Sequence, residues 1–403
     1  MPPATTDPTI AATRQRVRDQ MPITAKWAYF DHAAVAPLSG PATEAVRDWI
    51  AEASQEGDTV WPRWAARLEQ TRRTAAGMIG AAADEIALMP STTAGINLVA
   101  EGLDWREGDN VVIPEGDFPS NQYPWMQQAD RGVEVRRVPT DLGRIDLDQL
   151  RAACDARTRV VSVSWVAYQS GYRQPLDAIA DITHSTGGND GAGALFFLDA
   201  IQGLGVLPLD LAQTPIDFLA ADGHKWMLGP EGAGVAYVRA EHLDRLRARG
   251  VGWGSVPMSQ GFDKIELNLK PAASRYEGGS ANMIGQIAFG ASLDLLTAEP
   301  TERIAASILD LTDYLCDRLP ESGARVASIR TPEANGHDPR SGIVVIDTPG
   351  VDPTAARARL MEAGVVTMVR GGRLRMSPHA YTSYDEVDRL VAALTETLSG
   401  SPA

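Results

Sequence analysis

The chain has 403 residues, 44% of them hydrophobic and 22% charged, with a formal net charge of -15. That balance excludes a fibrous or disordered polymer, argues against a nucleic-acid partner, and leaves room for one large core plus a smaller one. Two cysteines, no HExxH-type spacing, no apolar run of membrane-spanning length and no apolar leader core exclude a disulfide framework and predict no metal, no membrane partner and a cytoplasmic protein.

In chain order, Tyr29 to Ser39, YFDHAAVAPLS, reads as an extended run ending at Asp31, with small residues that let the backbone pass close to something. Helices are expected over Pro41 to Ala53 and Trp64 to Met78, then a strand over Ile86 to Pro90. That strand leads into Ser91, Thr92 and Thr93 ahead of a helix from Ile96. Free N–H groups and hydroxyls at a helix start suit an anion, although such residues also serve simply as caps. A strand over Asn110 to Pro114 runs into an aromatic cluster containing Phe118, Tyr123 and Trp125, which can cover a flat ring or pack under a loop. Strands over Arg159 to Trp165 and Ala194 to Leu198, with helices over Leu147 to Ala153 and Leu176 to Ser185, repeat the strand, turn, helix unit. The expected fold is therefore α/β with a mainly parallel sheet, its ligand site beyond the strands' carboxyl ends.

The second of these strands delivers Asp199, with Gln202 three residues on. The next apolar run, Ile216 to Ala221, delivers Asp222, Gly223, His224 and Lys225 before a strand over Gly234 to Val238. A carboxylate and a lysine just past buried strands each need a partner. Pyridoxal phosphate supplies both, because its ring nitrogen takes an acidic group and its aldehyde takes a lysine. Beyond this point a charged helix is expected over Glu241 to Arg249. Helices follow over Ile284 to Leu296, Thr301 to Arg318, Thr354 to Ala363 and Tyr384 to Leu398, with strands over Ser341 to Asp347 and Val365 to Val369.

The stretches YFDHAA, PSTTAGINLV, FLDAIQGLG, ADGHKWMLGPEG, RYEGGSAN and LRMSPHAYTSYDEVDRL resemble the class V aminotransferase family, fold-type I pyridoxal-phosphate enzymes that include cysteine desulfurases, isopenicillin N epimerase-like proteins and kynureninases. The resemblance implies a large cofactor domain over 29–289, a smaller α+β domain over 290–403, and an N-terminal segment, 1–28, packed with the latter. It also implies Lys225 as the Schiff-base lysine, Asp199 on the ring nitrogen, Gln202 on the ring hydroxyl and Phe118 over the ring. Thr92, Thr93 and His224 would hold the phosphate, with Ser280 reaching it from the neighbouring subunit of a homodimer. Arg375 would clamp the α-carboxylate of an amino-acid substrate, with His32 and Tyr168 nearby; Trp125, Trp253 and Tyr276 are further candidates for the side-chain pocket.

Two departures bear on the reaction. No cysteine lies between Ser341 and Arg375, where the desulfurases of the family carry their sulfur-accepting nucleophile, so sulfur transfer to the protein is not expected. Asp222 stands where a serine is usual. The sequence leads to transamination as the first expectation, with epimerisation or a C–S lyase type of β-elimination as the alternative, all beginning with Cα deprotonation.

Overall fold

A computed structural model describes residues 7–188, 193–261, 263 and 265–400. Seven strands form the central sheet: β1 (Ile86–Met89), β2 (Asn110–Pro114), β3 (Glu134–Val138), β4 (Thr158–Ser164), β5 (Leu195–Asp199), β6 (Phe218–Asp222) and β7 (Gly234–Val238). Their order is β1-β7-β6-β5-β4-β2-β3, parallel except for β7, which runs antiparallel to both neighbours. Strands β5, β6 and β7 are buried along their whole length, as their continuous apolar runs require of strands covered on both faces. The register places Ser164 beside Asp199 and Asp199 beside Ala220, so the carboxyl ends of β4, β5 and β6 open onto one edge.

The helices are α1 (Pro8–Arg18), α2 (Gly40–Gln55), α3 (Trp61–Gly77), α4 (Thr92–Gly102), α5 (Leu147–Ala153), α6 (Leu176–Ser185), α7 (Met283–Thr297), α8 (Thr301–Arg318), α9 (Pro353–Glu362) and α10 (Tyr384–Ser399). A buried cluster of its own, from Leu311 to Leu394, fills the C-terminal region beneath a four-stranded antiparallel sheet. That sheet comprises β8 (Arg325–Val326), β9 (Val344–Asp347), β10 (Met368–Arg370) and β11 (Arg373–Met376), in the order β8-β9-β11-β10. The N-terminal helix joins this region: Thr13 donates to Glu299 at 2.8 Å, Arg14 pairs with Asp310 at 2.7 Å and Arg18 with Glu386 at 2.6 Å. Residues 1–6 of that segment lie outside the described residues.

Three expectations change. The boundary expected at 289/290 falls inside the continuous helix α7, so the helix is not divided there. The helix expected over Glu241 to Arg249 is a single tight turn, Ala240–His242, followed by irregular chain. Donors from outside take its carbonyls: Arg275 bonds the Leu243 oxygen at 3.0 Å, and the Tyr276 hydroxyl lies 3.2 Å from the Leu243 and Leu246 oxygens. The strand expected over Val365 to Val369 does not end there but continues to Arg370 and turns through Gly371 and Gly372, with φ of 55° and 73°, into a hairpin with Arg373–Met376. Two adjacent left-handed residues match the strand twist there, and glycine adopts them without strain.

Helix α4 is pressed against the sheet at Gly95, where an added Cβ would sit 2.5 Å from the Ala220 Cβ. Gly95→Ala is expected to destabilise the fold by about 1–3 kcal/mol through overpacking, read as a lower thermal unfolding midpoint of the cofactor-free protein. An unchanged midpoint would show that the helix can retreat without cost.

Candidate active site

Four elements converge on the carboxyl edge of the sheet. Asp199, the last residue of β5, is 2% exposed; its Oδ1 accepts the Ile201 N–H at 3.1 Å and its Oδ2 lies 3.4 Å from the Ser164 hydroxyl. Burial, and then the charge of Asp117, push its carboxyl above the ordinary carboxylate range. After β6 the chain turns at Gly223, whose N–H reaches the Ala233 carbonyl at 2.8 Å, and presents Lys225. That lysine is only 9% exposed, with Nζ 5.6 Å from the centre of the Phe118 ring. No hydrogen bond or ion pair engages its ammonium among the described residues. Burial holds it below the ordinary lysine value, Asp199 opposes that shift, and Arg375 adds to it.

At the other end of this space stands the start of α4. Ser91 caps the helix, its hydroxyl accepting the Ala94 N–H at 3.1 Å. Thr92 is buried and accepts the Asp222 N–H at 2.9 Å, while the exposed Thr93 hydroxyl bonds Ser120 at 2.8 Å. Asp222 Oδ1 accepts the Gly223 N–H at 2.8 Å and its Oδ2 lies 3.0 Å from His224 Nδ1, without hydrogen-bond geometry. The Gln202 side chain is fixed by donating to the Ala33 carbonyl at 3.0 Å and accepting Trp226 Nε1 at 2.8 Å, so one amide N–H is left over.

These features fit pyridoxal phosphate. A buried lysine without a partner, a carboxylate at the sheet edge, a spare amide N–H and an aromatic face surround one space, and the free N–H groups of a helix start suit its phosphate.

Arg375 arrives from β11, opposite Val345 and Met368, rather than from a loop. It is 1% exposed, donates through Nη1 to the Tyr168 carbonyl at 2.9 Å and through Nη2 to Asp31 at 3.3 Å, and its Nε has no partner. Burial of Asp31 outweighs the attraction of Arg375 and raises its carboxyl. A bridge between Asp31 and Ser377 brings the early motif to the late one. Tyr168 also packs edge-on against Phe118 at 5.1 Å, in the same wall.

Not every candidate joins the site. His32 is fully buried, with Nδ1 2.8 Å from the Ser377 carbonyl and Nε2 2.8 Å from the Tyr381 hydroxyl, so both nitrogens are taken and a substrate contact is corrected to a structural one. Trp125 is wholly in the core, bonded to Asn121, and Tyr276 is buried against the 243–246 turn; neither lines a side-chain pocket. Ser280 is exposed, as is much of Trp253. Sequence reasoning missed Asp31, Asp117 and Ser164, although the strand end before Asp117 was a visible signal. A cavity of about 200 Å³ beside the site is lined by Asp117, Ser164, Tyr168, Gln169, Arg370 and Arg373, among others. A more open cleft of about 1390 Å³, between Thr74, Asp177, Asp210 and Glu302, holds none of the residues expected at the site.

Comparison with known proteins adds independent information. The model of the family described as aminotransferase class-V matches residues 28–390. A Methanothermobacter thermautotrophicus protein described as a probable cysteine desulfurase is 31% identical, over 94% of this chain and 97% of its own length. A Bacillus subtilis protein described as an uncharacterized aminotransferase is 29% identical, over 87% and 89%. Six further curated relatives, 26–30% identical, are described as cysteine desulfurases or probable cysteine desulfurases. Among solved structures, the cystine C–S lyase C-DES with its product cysteine persulfide has a TM-score of 0.85 at 22% identity, over 94% of this chain and 99% of that one, a likeness of fold.

Proposed function

The chain belongs to the aminotransferase class-V family, and on that premise we propose that it is a carbon–sulfur lyase, breaking the Cβ–S bond of a cysteine-type α-amino acid and releasing the sulfur in a small molecule. Pyridoxal 5′-phosphate is the cofactor. The expectation of transamination is corrected by the relatives, among which desulfurase descriptions prevail, while the one aminotransferase description belongs to an uncharacterized protein. Of the two alternatives, elimination has their support and epimerisation has none.

When bound, the cofactor supplies an electron sink for the charge left at the substrate's Cα. Arg375 binds the α-carboxylate through its guanidinium, and Asp31 behind it keeps that fork oriented. Lys225, the residue that would anchor the cofactor aldehyde, would take the Cα proton at Nζ; its lowered basicity leaves more of it free to do so at neutral pH. With the cofactor bound, Asp199 would hold the proton at the ring nitrogen, Gln202 would offer its spare N–H to the ring oxygen, and Phe118 would cover the ring against water. Thr92, Thr93 and His224 take the phosphate from this chain, and Ser280 takes it from the other subunit of a homodimer. Loss of the Cα proton and of the Cβ sulfur, followed by hydrolysis by one water, gives pyruvate and ammonia together with hydrogen sulfide from cysteine or cysteine persulfide from cystine.

The observation that carries this reading is the state of the two thiols. Cys154 follows α5 and Cys316 lies within α8; both are partly buried, burial raises both, and Cys316 is pushed up to about 11. Neither thiol stands on an element that converges on Lys225, and a partly buried thiol away from the site is a poor sulfur acceptor. With cystine or cysteine as substrate, pyruvate is expected in step with released sulfur, and mass spectrometry should find no persulfide on either cysteine. Alanine formed together with a protein-bound persulfide would overturn the proposal in favour of a desulfurase.

A further inference from the structure

Behind Asp199 stands a second carboxylate that the reaction described above does not use. Asp117, on the loop after β2, is half-buried and accepts four hydrogen bonds: Phe118 N–H at 2.9 Å and the Ser164 hydroxyl at 2.6 Å on Oδ1, Asn121 Nδ2 at 2.8 Å and Ser164 N–H at 3.0 Å on Oδ2. No cation pairs with it among the described residues. The Ser164 hydroxyl has one proton and two carboxylates within reach, at 2.6 Å for Asp117 and 3.4 Å for Asp199. It therefore donates to Asp117 and leaves Asp199 Oδ2 without a strong donor of its own.

We infer that Asp117 is a positioning residue for the cofactor: held beside Asp199 around the Ser164 hydroxyl, it sets a second negative charge next to Asp199, and that charge itself, rather than the hydroxyl, keeps the proton on the ring nitrogen Asp199 faces. Two carboxylates around one hydroxyl repel each other, and a proton shared between Asp199 and a ring nitrogen relieves the repulsion. The charged groups facing Asp199 are Asp117 and Lys225, and they act in opposite directions on its carboxyl. Asp117 acts without touching the cofactor. Its alternative use is to tie its loop to β4, a role that needs the hydrogen bonds and not the charge.

The inference rests on Asp199 as the ring-nitrogen partner, and the test separates the two. Holoenzyme carrying cofactor labelled with ¹⁵N in the ring is titrated and the pH at which the ring nitrogen loses its proton is read by NMR. Asp117→Asn, which keeps the shape and removes the charge, is expected to lower that pH by about one unit or more, whereas Ser164→Ala, which keeps the charge, is not expected to lower it. If Asp117→Asn has no effect while Asp199→Asn does, the role of Asp117 is overturned; if Asp199→Asn has none, the ring-nitrogen assignment itself fails. A second measurement needs no variant: in cofactor-free wild type, ¹³C resonances of the two carboxyls should sense each other's titration. Independent titration curves would overturn the inference even if Asp117→Asn does not fold.

Discussion

Lys225→Ala is expected to remove the cofactor-linked visible absorbance of the purified protein and to lower kcat by about a thousandfold or more, because one side chain is both the anchor of the cofactor aldehyde and the acceptor of the Cα proton. Its environment makes the expectation specific. The ammonium has no ion-pair partner among the described residues, and burial outweighs the Phe118 ring and Asp199, which favour its charge. The consequence for stability has a definite sign. Burial depresses the folded-state pKa below the unfolded value of about 10.4, so the unfolded chain binds more protons between the two values and stability rises with pH there. Lys225→Met should therefore stabilise the cofactor-free protein at neutral pH, and the gain should fade as pH rises between the folded and unfolded values and be gone above the unfolded one. An unchanged spectrum in Lys225→Ala would sink the assignment, and a Lys225→Met gain independent of pH would sink the electrostatic account of it.

The second large effect is expected at Arg375. Arg375→Ala removes a charged, two-pronged contact to the substrate's α-carboxylate, worth about 3–4 kcal/mol, so kcat/KM should fall by about 10²–10³. Arg375→Lys should recover little of it, because an ammonium cannot reproduce a planar fork that is already held by the Tyr168 carbonyl and Asp31. The same change leaves Asp31 buried without its cation. Its carboxyl, raised by burial even with Arg375 present, is then raised further. The folded state consequently binds more protons than the unfolded one, and stability falls as pH rises through that interval. The unfolding midpoint of Arg375→Ala should lag the wild type more at neutral pH than near pH 4. Equal deficits at both would mean that Asp31 finds another partner, and an unchanged kcat/KM would remove Arg375 from the substrate site.

Much of the fold was legible because its signals are local. Continuous apolar runs ending in Asp199 and Asp222 read as buried parallel strands, and the helices Leu147–Ala153, Leu176–Ser185 and Thr301–Arg318 have the bounds expected from periodicity. The 241–249 stretch was misread because helical propensity there is weaker than the pull of Arg275 and Tyr276 on its carbonyls. The hairpin at Gly371 and Gly372 was missed because two glycines between arginines read equally well as an open loop.

For the site, the division is similar. The one-dimensional chain determined which chemistry is present: a lysine and a carboxylate past buried strands, a hydroxyl-rich helix start, an arginine in the final motif, and no cysteine where a sulfur acceptor would stand. Whether each side chain faces the shared space depends on partners dozens to hundreds of residues away, and there the tertiary structure decided. It turned His32 inward onto Ser377 and Tyr381, set Asp31 behind Arg375, and brought Asp117 to Asp199 through Ser164. Periodicity reports which face of an element is apolar; it carries no record of which polar groups meet when two buried faces close.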